Sequence, residues 1–237
     1  MSNLQPYELA EMYDAFIRNE KSTGRHLLVI YLLVIGINAK VILDLGLGST
    51  TRALRAAALK TEGTVLSCDS DVARFSDLLG FQDESWRITL SPSELFLQAI
   101  QPPIDFVMHD AAHDYYQVKL DLGLILPKMR QFGLICVHDT QQPDLGRDIL
   151  TAIRDATNGY SVSMTHLPFS AGLTIIRVEE SCHPPITPAT CFLPDGRPAT
   201  ELIPFGFTSA STRKMQANPS VTLKWIRWKL RKLIKGY

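Results

Sequence analysis

The chain reads as an α/β protein built on an open, mostly parallel seven-stranded sheet with helices on both faces. Three observations predict this. Short β-rich runs alternate with helix-length segments from residue 40 to residue 158. The first run empties into a glycine loop, and two later ones end in His-Asp pairs, His109-Asp110 and His138-Asp139. Two final β-rich runs, Tyr160–Leu167 and Leu173–Val178, can close the sheet as an antiparallel pair.

In order, Pro6–Arg18 and Thr23–Ile37 have helical character, the second apolar almost all round. Its apolar run Leu27–Ile37 is too short to span a bilayer and reads as a buried helix. Lys40–Leu45 is the first strand, Gly46-Leu47-Gly48-Ser49-Thr50-Thr51 its loop, and Arg52–Lys60 the next helix. Thr64–Cys68 ends at Asp69 as strand two, and helical residues 72–80 follow. Trp86–Leu90, Ile104–Met108 and Leu134–Val137 read as strands. Ser93–Ile100, Tyr115–Arg130 and Leu145–Asn158 read as helices.

With 237 residues, 46% hydrophobic and 20% charged, the composition is that of a soluble globular protein. Cys68, Cys136, Cys182 and Cys191 show no CxxC spacing, so a reduced cytoplasmic protein is expected over a Cys182–Cys191 disulfide. The polar, acidic N-terminus predicts no signal peptide. The net charge of zero hides an asymmetry: all 24 acidic residues precede residue 202, whereas eight of the 24 basic ones follow residue 212. An acidic body with a basic tail results.

The expected organisation is a main domain over 1–178, an irregular Pro-rich extension over 179–218 and a basic amphipathic helix over 219–237. In that helix Leu223, Ile226, Leu230 and Leu233 share one face, Lys224, Arg227, Arg231 and Lys235 the other, with Trp225 and Trp228 near the boundary. An anionic membrane surface suits it, making the protein peripheral to the membrane. Docking on the acidic body or on a partner subunit in a homo-oligomer is the alternative, with nucleic acid least favoured.

In open parallel sheets ligands bind beyond the carboxyl ends of the strands. That rule lines Asp44, Asp69, Asp110, His138 and Asp139 along one rim. The sequence Asp44-Leu45-Gly46-Leu47-Gly48 is compatible with close backbone approach to a ligand, or with a plain strand–helix turn. Thr51 stands where a nicotinamide fingerprint has its third glycine. Asp69 is placed to accept ribose hydroxyls or, alternatively, to cap a helix, a role open also to Ser70 and Asp71. Loop and carboxylate together point to a nucleoside-containing cofactor.

The stretches VILDLGLGSTTRAL, VLSCDSD, IDFVMHDAAHDYYQVKLDL and GLICVHDT resemble class I S-adenosylmethionine-dependent methyltransferases, in particular the metal-assisted O-methyltransferases of the macrolide-sugar and catechol type. The resemblance covers residues 20–178 and implies a Rossmann-like sheet. It implies that Gly46, Gly48, Ser49 and Thr50 line the methionine part of the cofactor, with Asp44 and Asp110 close by and Asp69 on the ribose. Asp110, Asp139 and His138 fall on metal-ligand positions, His138 where relatives carry an acidic residue. His113 falls on the proposed base. Two departures stand out: Pro92 replaces an acidic residue after strand three, leaving Ser93 for the adenine end, and only Gly133 survives of a Pro-Gly-Gly turn.

The chemistry agrees with the resemblance. A hydroxyl is a poor nucleophile until deprotonated, and Mg²⁺ or Mn²⁺ between Asp110 and Asp139 would lower its pKa. His113, three residues beyond Asp110, is the expected proton acceptor. His109 is expected to be structural, because it points to the opposite face from Asp110. Asp114 is expected at a helix start and Asp121 at a solvated helical position. The expected function is metal-assisted O-methylation of a sugar or other small polyol or natural product. An inactive cofactor-binding scaffold and a nicotinamide-dependent oxidoreductase are the alternatives.

Overall fold

The structure, a computed structural model, describes residues 5–18 and 23–180. The elements run α1 (Leu9–Arg18), α2 (Gly24–Gly36), β1 (Val41–Leu45), α3 (Ser49–Thr61), β2 (Thr64–Asp69), α4 (Val72–Leu78) and β3 (Trp86–Leu90). There follow α5 (Ser93–Ala99), β4 (Ile104–His109), α6 (Tyr115–Ile125), β5 (Met129–His138), α7 (Gly146–Thr157), β6 (Val162–Leu167) and β7 (Leu173–Val178). They build one seven-stranded sheet in the order β3-β2-β1-β4-β5-β7-β6. The first five strands are parallel, and β7 joins β5 and β6 antiparallel. The fold class is therefore the expected one. The Pro-rich extension and the basic helix expected beyond residue 180 lie outside the described residues.

Strand alternation sorts the side chains between two cores. Ile42, Phe106, Met108, Leu134 and Cys136 meet Met12, Leu27, Ile30, Val34 and Leu54 on the face carrying α1, α2 and α3. Leu43, Leu45, Val107, Ile135 and Val137 meet Leu97, Val118, Leu122, Ile149 and Ile153 on the face carrying α5, α6 and α7. Each fully buried Leu or Ile contributes about 1.5–3 kcal/mol. By the same alternation Asp44 and His138 share the α2/α3 face, whereas His109 points the other way. Among the described residues no helix is long and apolar enough to cross a membrane.

Several boundaries differ from expectation. α3 begins at Ser49, three residues early, so Ser49, Thr50 and Thr51 form its first turn. α6 stops at Ile125 instead of Arg130, because Pro127 has no N–H to continue the hydrogen-bond ladder. A single 3-10 turn, Leu126–Lys128, follows, and β5 starts at Met129. The pairing of β4 with β5 shifts register between Ile104 and Phe106, where Phe132 takes φ 63°.

Candidate active site

The glycine loop is built by close approach. Gly46 has φ 98°, and a Cβ there would lie 2.3 Å from the Asp110 carbonyl oxygen. This contact brings the end of β1 against the end of β4, reinforced by the Asp110 N–H donating to the Leu45 carbonyl at 2.9 Å. Gly48 is different: a Cβ there would meet no protein atom within 4 Å, so the loop opens onto free space at the start of α3. That space is what a ligand cradled by the loop requires.

Thr51 explains the missing third glycine. Its hydroxyl accepts from the Gly48 N–H at 3.0 Å and donates to Asp44 Oδ2 at 2.7 Å. Ser67 Oγ also donates to Asp44 Oδ2, at 2.8 Å, and Trp86 Nε1 donates to Ser67 at 2.9 Å. Asp44 is fully buried, so it acts through the loop and does not face the cradle as expected. Burial pushes its carboxyl up to about 7, against the two hydroxyl donors. Thr50 is likewise fully buried and drops out of the cradle lining. Ser49 Oγ lies 3.0 Å from Thr23 Oγ1, which ties α3 to the start of α2.

Asp69 ends β2 with both oxygens on the protein. The Leu47 N–H donates to Oδ2 at 3.1 Å, the Asp71 N–H to Oδ1 at 2.8 Å, and Arg74 Nη1 to Oδ2 at 3.1 Å. Oδ2 thus takes two donors, whereas Oδ1 keeps a second acceptor site that leaves room for a ribose hydroxyl. The helix-capping alternative belongs to Asp71, whose Oδ1 accepts from the Ala73 and Arg74 N–H groups.

Ser93 departs from expectation. Its hydroxyl donates to Asp121 Oδ2 at 2.7 Å in a buried network. His109 Nε2 bonds the same oxygen at 3.0 Å, and Gln117 Nε2 donates to Asp121 Oδ1 at 2.9 Å. Asp121 is fully buried, not solvated, and Ser93 is committed to it instead of to an adenine. His109 is structural, as expected. Asp114 caps α6, its Oδ1 accepting from the Tyr116 and Gln117 N–H groups at 3.1 Å.

The carboxyl ends of β4 and β5 bring Asp110, His113, His138 and Asp139 together. His113 Nε2 lies 3.2 Å from Asp139 Oδ2 and 3.6 Å from Asp110 Oδ1. That nitrogen is buried and makes no hydrogen bond among the described residues. One ligand atom from each of Asp110, His113 and Asp139 lies within 4.8 Å of the others, a spacing that could hold a metal ion. Asp139 reaches this position with φ 60°, and Gln142 Nε2 donates to its Oδ1 at 3.4 Å.

His138 does not fit the ligand role expected of it. Its Nδ1 lies 3.3 Å from Asp110 Oδ1 and 3.0 Å from Asp139 Oδ1, and its Nε2 lies 3.0 Å from His26 Nδ1. Both ring nitrogens are therefore engaged. His26, fully buried on α2, passes its Nε2 to the Phe169 carbonyl at 3.1 Å. A carbonyl only accepts, so His26 carries its proton on Nε2 and offers Nδ1 to the His138 Nε2–H. Burial, then the charge of His138, lowers His26 to about 4. Burial opposes charge on His138 too, but Asp110 and Asp139 outweigh it and raise His138 to about 9. Burial likewise pushes the Asp110 and Asp139 carboxyls up, yet the facing histidines hold both below the usual range.

Sequence reasoning missed His26, which sits in an otherwise apolar helix whose face cannot be assigned to a rim residue by spacing. It also placed Asp121 in solvent, since an Asp on a short helix carries no mark of what packs above it.

Comparisons with known proteins follow this geometry. Residues 43–140 match the family model described as a methyltransferase domain. The fold is similar to a Podospora anserina methyltransferase, PaMTH1, solved with S-adenosylhomocysteine (SAH): TM-score 0.56, 15% identity, 76% of this chain and 89% of that one covered. It is similar also to an O-methyltransferase from Bacillus cereus in complex with SAH: TM-score 0.55, 16% identity, 73% and 92% covered. No curated protein matches the chain in sequence. Residues 43–140 thus match a methyltransferase-domain model, and the sheet shares the fold of these two solved methyltransferases.

Proposed function

We propose that the protein is an S-adenosylmethionine-dependent O-methyltransferase that acts on a hydroxyl of a sugar or other small polyol or natural product, with Mg²⁺ or Mn²⁺ held by Asp110 and Asp139. The carrying observation is the convergence of two carboxylates and an unbonded buried imidazole nitrogen within 4.8 Å. This cluster directly adjoins the glycine loop, because Gly46 packs on the Asp110 backbone. The names of the solved neighbours, both bound to SAH and one an O-methyltransferase, point the same way.

The residues suit the cofactor: Gly46, Gly48 and Ser49 line an open cradle, and Asp69 offers spare acceptor capacity to a ribose. When bound, the sulfonium supplies an electrophilic methyl group and a divalent cation lowers the pKa of the attacking hydroxyl. Asp110 and Asp139 orient the cation and thereby the hydroxyl. His113 Nε2, beside both carboxylates, is the group placed to take the proton. His138 donates to both carboxylates and fixes where their oxygens point. The nicotinamide alternative loses ground, because the Thr51 hydroxyl is committed to Gly48 and Asp44 where that fingerprint needs close packing.

The 4.8 Å cluster also favours a second reading, in which His113 is the third metal ligand. Titration calorimetry with Mn²⁺ separates the two. His113→Ala should keep Mn²⁺ affinity and lose about 10²–10⁴-fold in turnover if the residue is the base; lost Mn²⁺ affinity assigns it as a ligand. The function itself is tested by SAH calorimetry and by labelled methyl transfer to a panel of hydroxylated acceptors, with and without chelator. A protein that binds no SAH is not this enzyme.

A further inference from the structure

Immediately beyond Asp139 the surface between residues 140–142 and α7 forms an open depression of about 430 Å³. Its loop wall consists of Thr140, Gln141 and Gln142, and its helix wall includes Arg147, Thr151 and Arg154. Positions 147, 151 and 154 share one face of α7, and Arg147 and Arg154 stand two turns apart on it. No acidic residue lines the cavity. Among the described residues neither arginine forms an ion pair. Asp155, whose carboxyl Arg154 helps to lower, lies off the cavity and is engaged by the Tyr115 hydroxyl at 2.5 Å and by Lys119. In a body whose acidic residues outnumber its basic ones, two uncommitted guanidinium groups on one concave wall stand out.

The wall is also held in place. A Cβ on Gly146 would lie 2.5 Å from the Thr140 carbonyl oxygen, so only glycine lets α7 start this close to the loop. The Gln141 N–H donates to the Ala171 carbonyl at 2.8 Å, and the Gln142 N–H to the Asp139 carbonyl at 3.2 Å. Gln142 belongs to both sites: it lines the cavity, and its amide donates to Asp139 Oδ1. A molecule with its hydroxyl at Asp139 therefore has the cavity as its next neighbour.

We propose that this cavity is an anion subsite for the methyl acceptor, taking a phosphate ester or carboxylate on the acceptor while its reacting hydroxyl lies at Asp139. The guanidinium forks match the oxygen geometry of such groups, and the glutamine side-chain amides supply neutral donors. The proposal rests on the reading of Asp110 and Asp139 as the place of the hydroxyl, and it makes the acceptor an anionic hydroxyl compound in place of a neutral polyol.

The test uses the full chain, with SAH and Mn²⁺ present, titrated calorimetrically with inorganic phosphate, glycerol and glycerol 3-phosphate. Glycerol 3-phosphate should bind at least tenfold more tightly than glycerol or phosphate, and the double variant Arg147→Gln/Arg154→Gln should lose that advantage. The same variant should bind SAH as the parent does, since neither arginine touches the cradle. Equal binding of glycerol and glycerol 3-phosphate, or an advantage that survives the double variant, overturns the proposal. Phosphate binding as tightly as glycerol 3-phosphate also overturns it, making the cavity a site for free phosphate. A parent protein that fails to bind SAH instead removes the enzymatic reading on which the proposal stands.

Discussion

His26 Nδ1 lies 3.0 Å from His138 Nε2, so the largely apolar helix α2 orients the imidazole facing Asp110 and Asp139. The chain of contacts runs from the Phe169 carbonyl through His26 and His138 to both carboxylates. Every ring nitrogen in it has a partner, which is what a buried polar network needs to hold one geometry.

His26→Leu should break that chain and leave the His138 Nε2–H buried without an acceptor. The cost is about 1–3 kcal/mol of stability, with weaker Mn²⁺ binding because His138, the common donor to the carboxylates, loses the contact that orients its ring. His26→Asn places an amide oxygen near the former Nδ1 and should recover most of the Mn²⁺ affinity, though not the Phe169 bond. Calorimetry on both variants decides; equal Mn²⁺ affinity in parent and Leu variant would show that His26 only fills space.

Gly46 and Gly48 should separate fold from ligand. Gly46→Ala forces a methyl into the Asp110 carbonyl at positive φ and should lower the melting temperature by many degrees. Gly48→Ala meets no protein atom and should melt within a few degrees of the parent, yet weaken SAH binding about tenfold, roughly 1.4 kcal/mol. Unchanged SAH affinity in the Gly48 variant would place the cofactor elsewhere.

Stability should fall on the alkaline side. His138 binds its proton more tightly folded, at about 9, than unfolded, near 6.5. Its contribution is complete below 6.5 and is lost as pH rises through 9. Between about 4 and 6.5 two groups oppose each other: His26, lowered to about 4, favours higher pH, and Asp44, raised to about 7, favours lower pH. In chelator-treated buffer the melting temperature should therefore change little from 4.5 to 6.5 and drop from 6.5 to 9. His138→Asn should flatten the alkaline limb; an unchanged slope would refute the assignment.

Asp121→Ala should be among the costliest single changes. It strips the acceptor from Ser93 and His109 at once and leaves both buried under α6 without it, while Gln117 keeps Glu94. A loss of about 3–5 kcal/mol follows, measurable by urea unfolding. Asp121→Asn, which keeps one acceptor oxygen, should lose clearly less.

The sequence by itself determined the strands and the parallel class of the sheet, because periods of two and near four alternate without overlap, whereas the strand order came from the tertiary structure. It also determined the rim: Asp69, Asp110, His113 and Asp139 stand at strand ends or one turn beyond, where chain order alone brings them to one edge. The depth of each polar side chain was decided only by tertiary structure. Asp44 and Thr50 belong to the same glycine loop as Gly48, yet the packing of α3 buries them and leaves Gly48 open. Ser93, Asp121 and His109 come from three elements and satisfy one another beneath α6, a meeting that no local spacing encodes. His138 and His26 are 112 residues apart, and only the layering of α2 on β5 lets His26 hold His138 Nε2 while Nδ1 faces the two carboxylates. Burial and hydrogen-bond partners belong to neighbours in space, and a rim position in sequence carries neither.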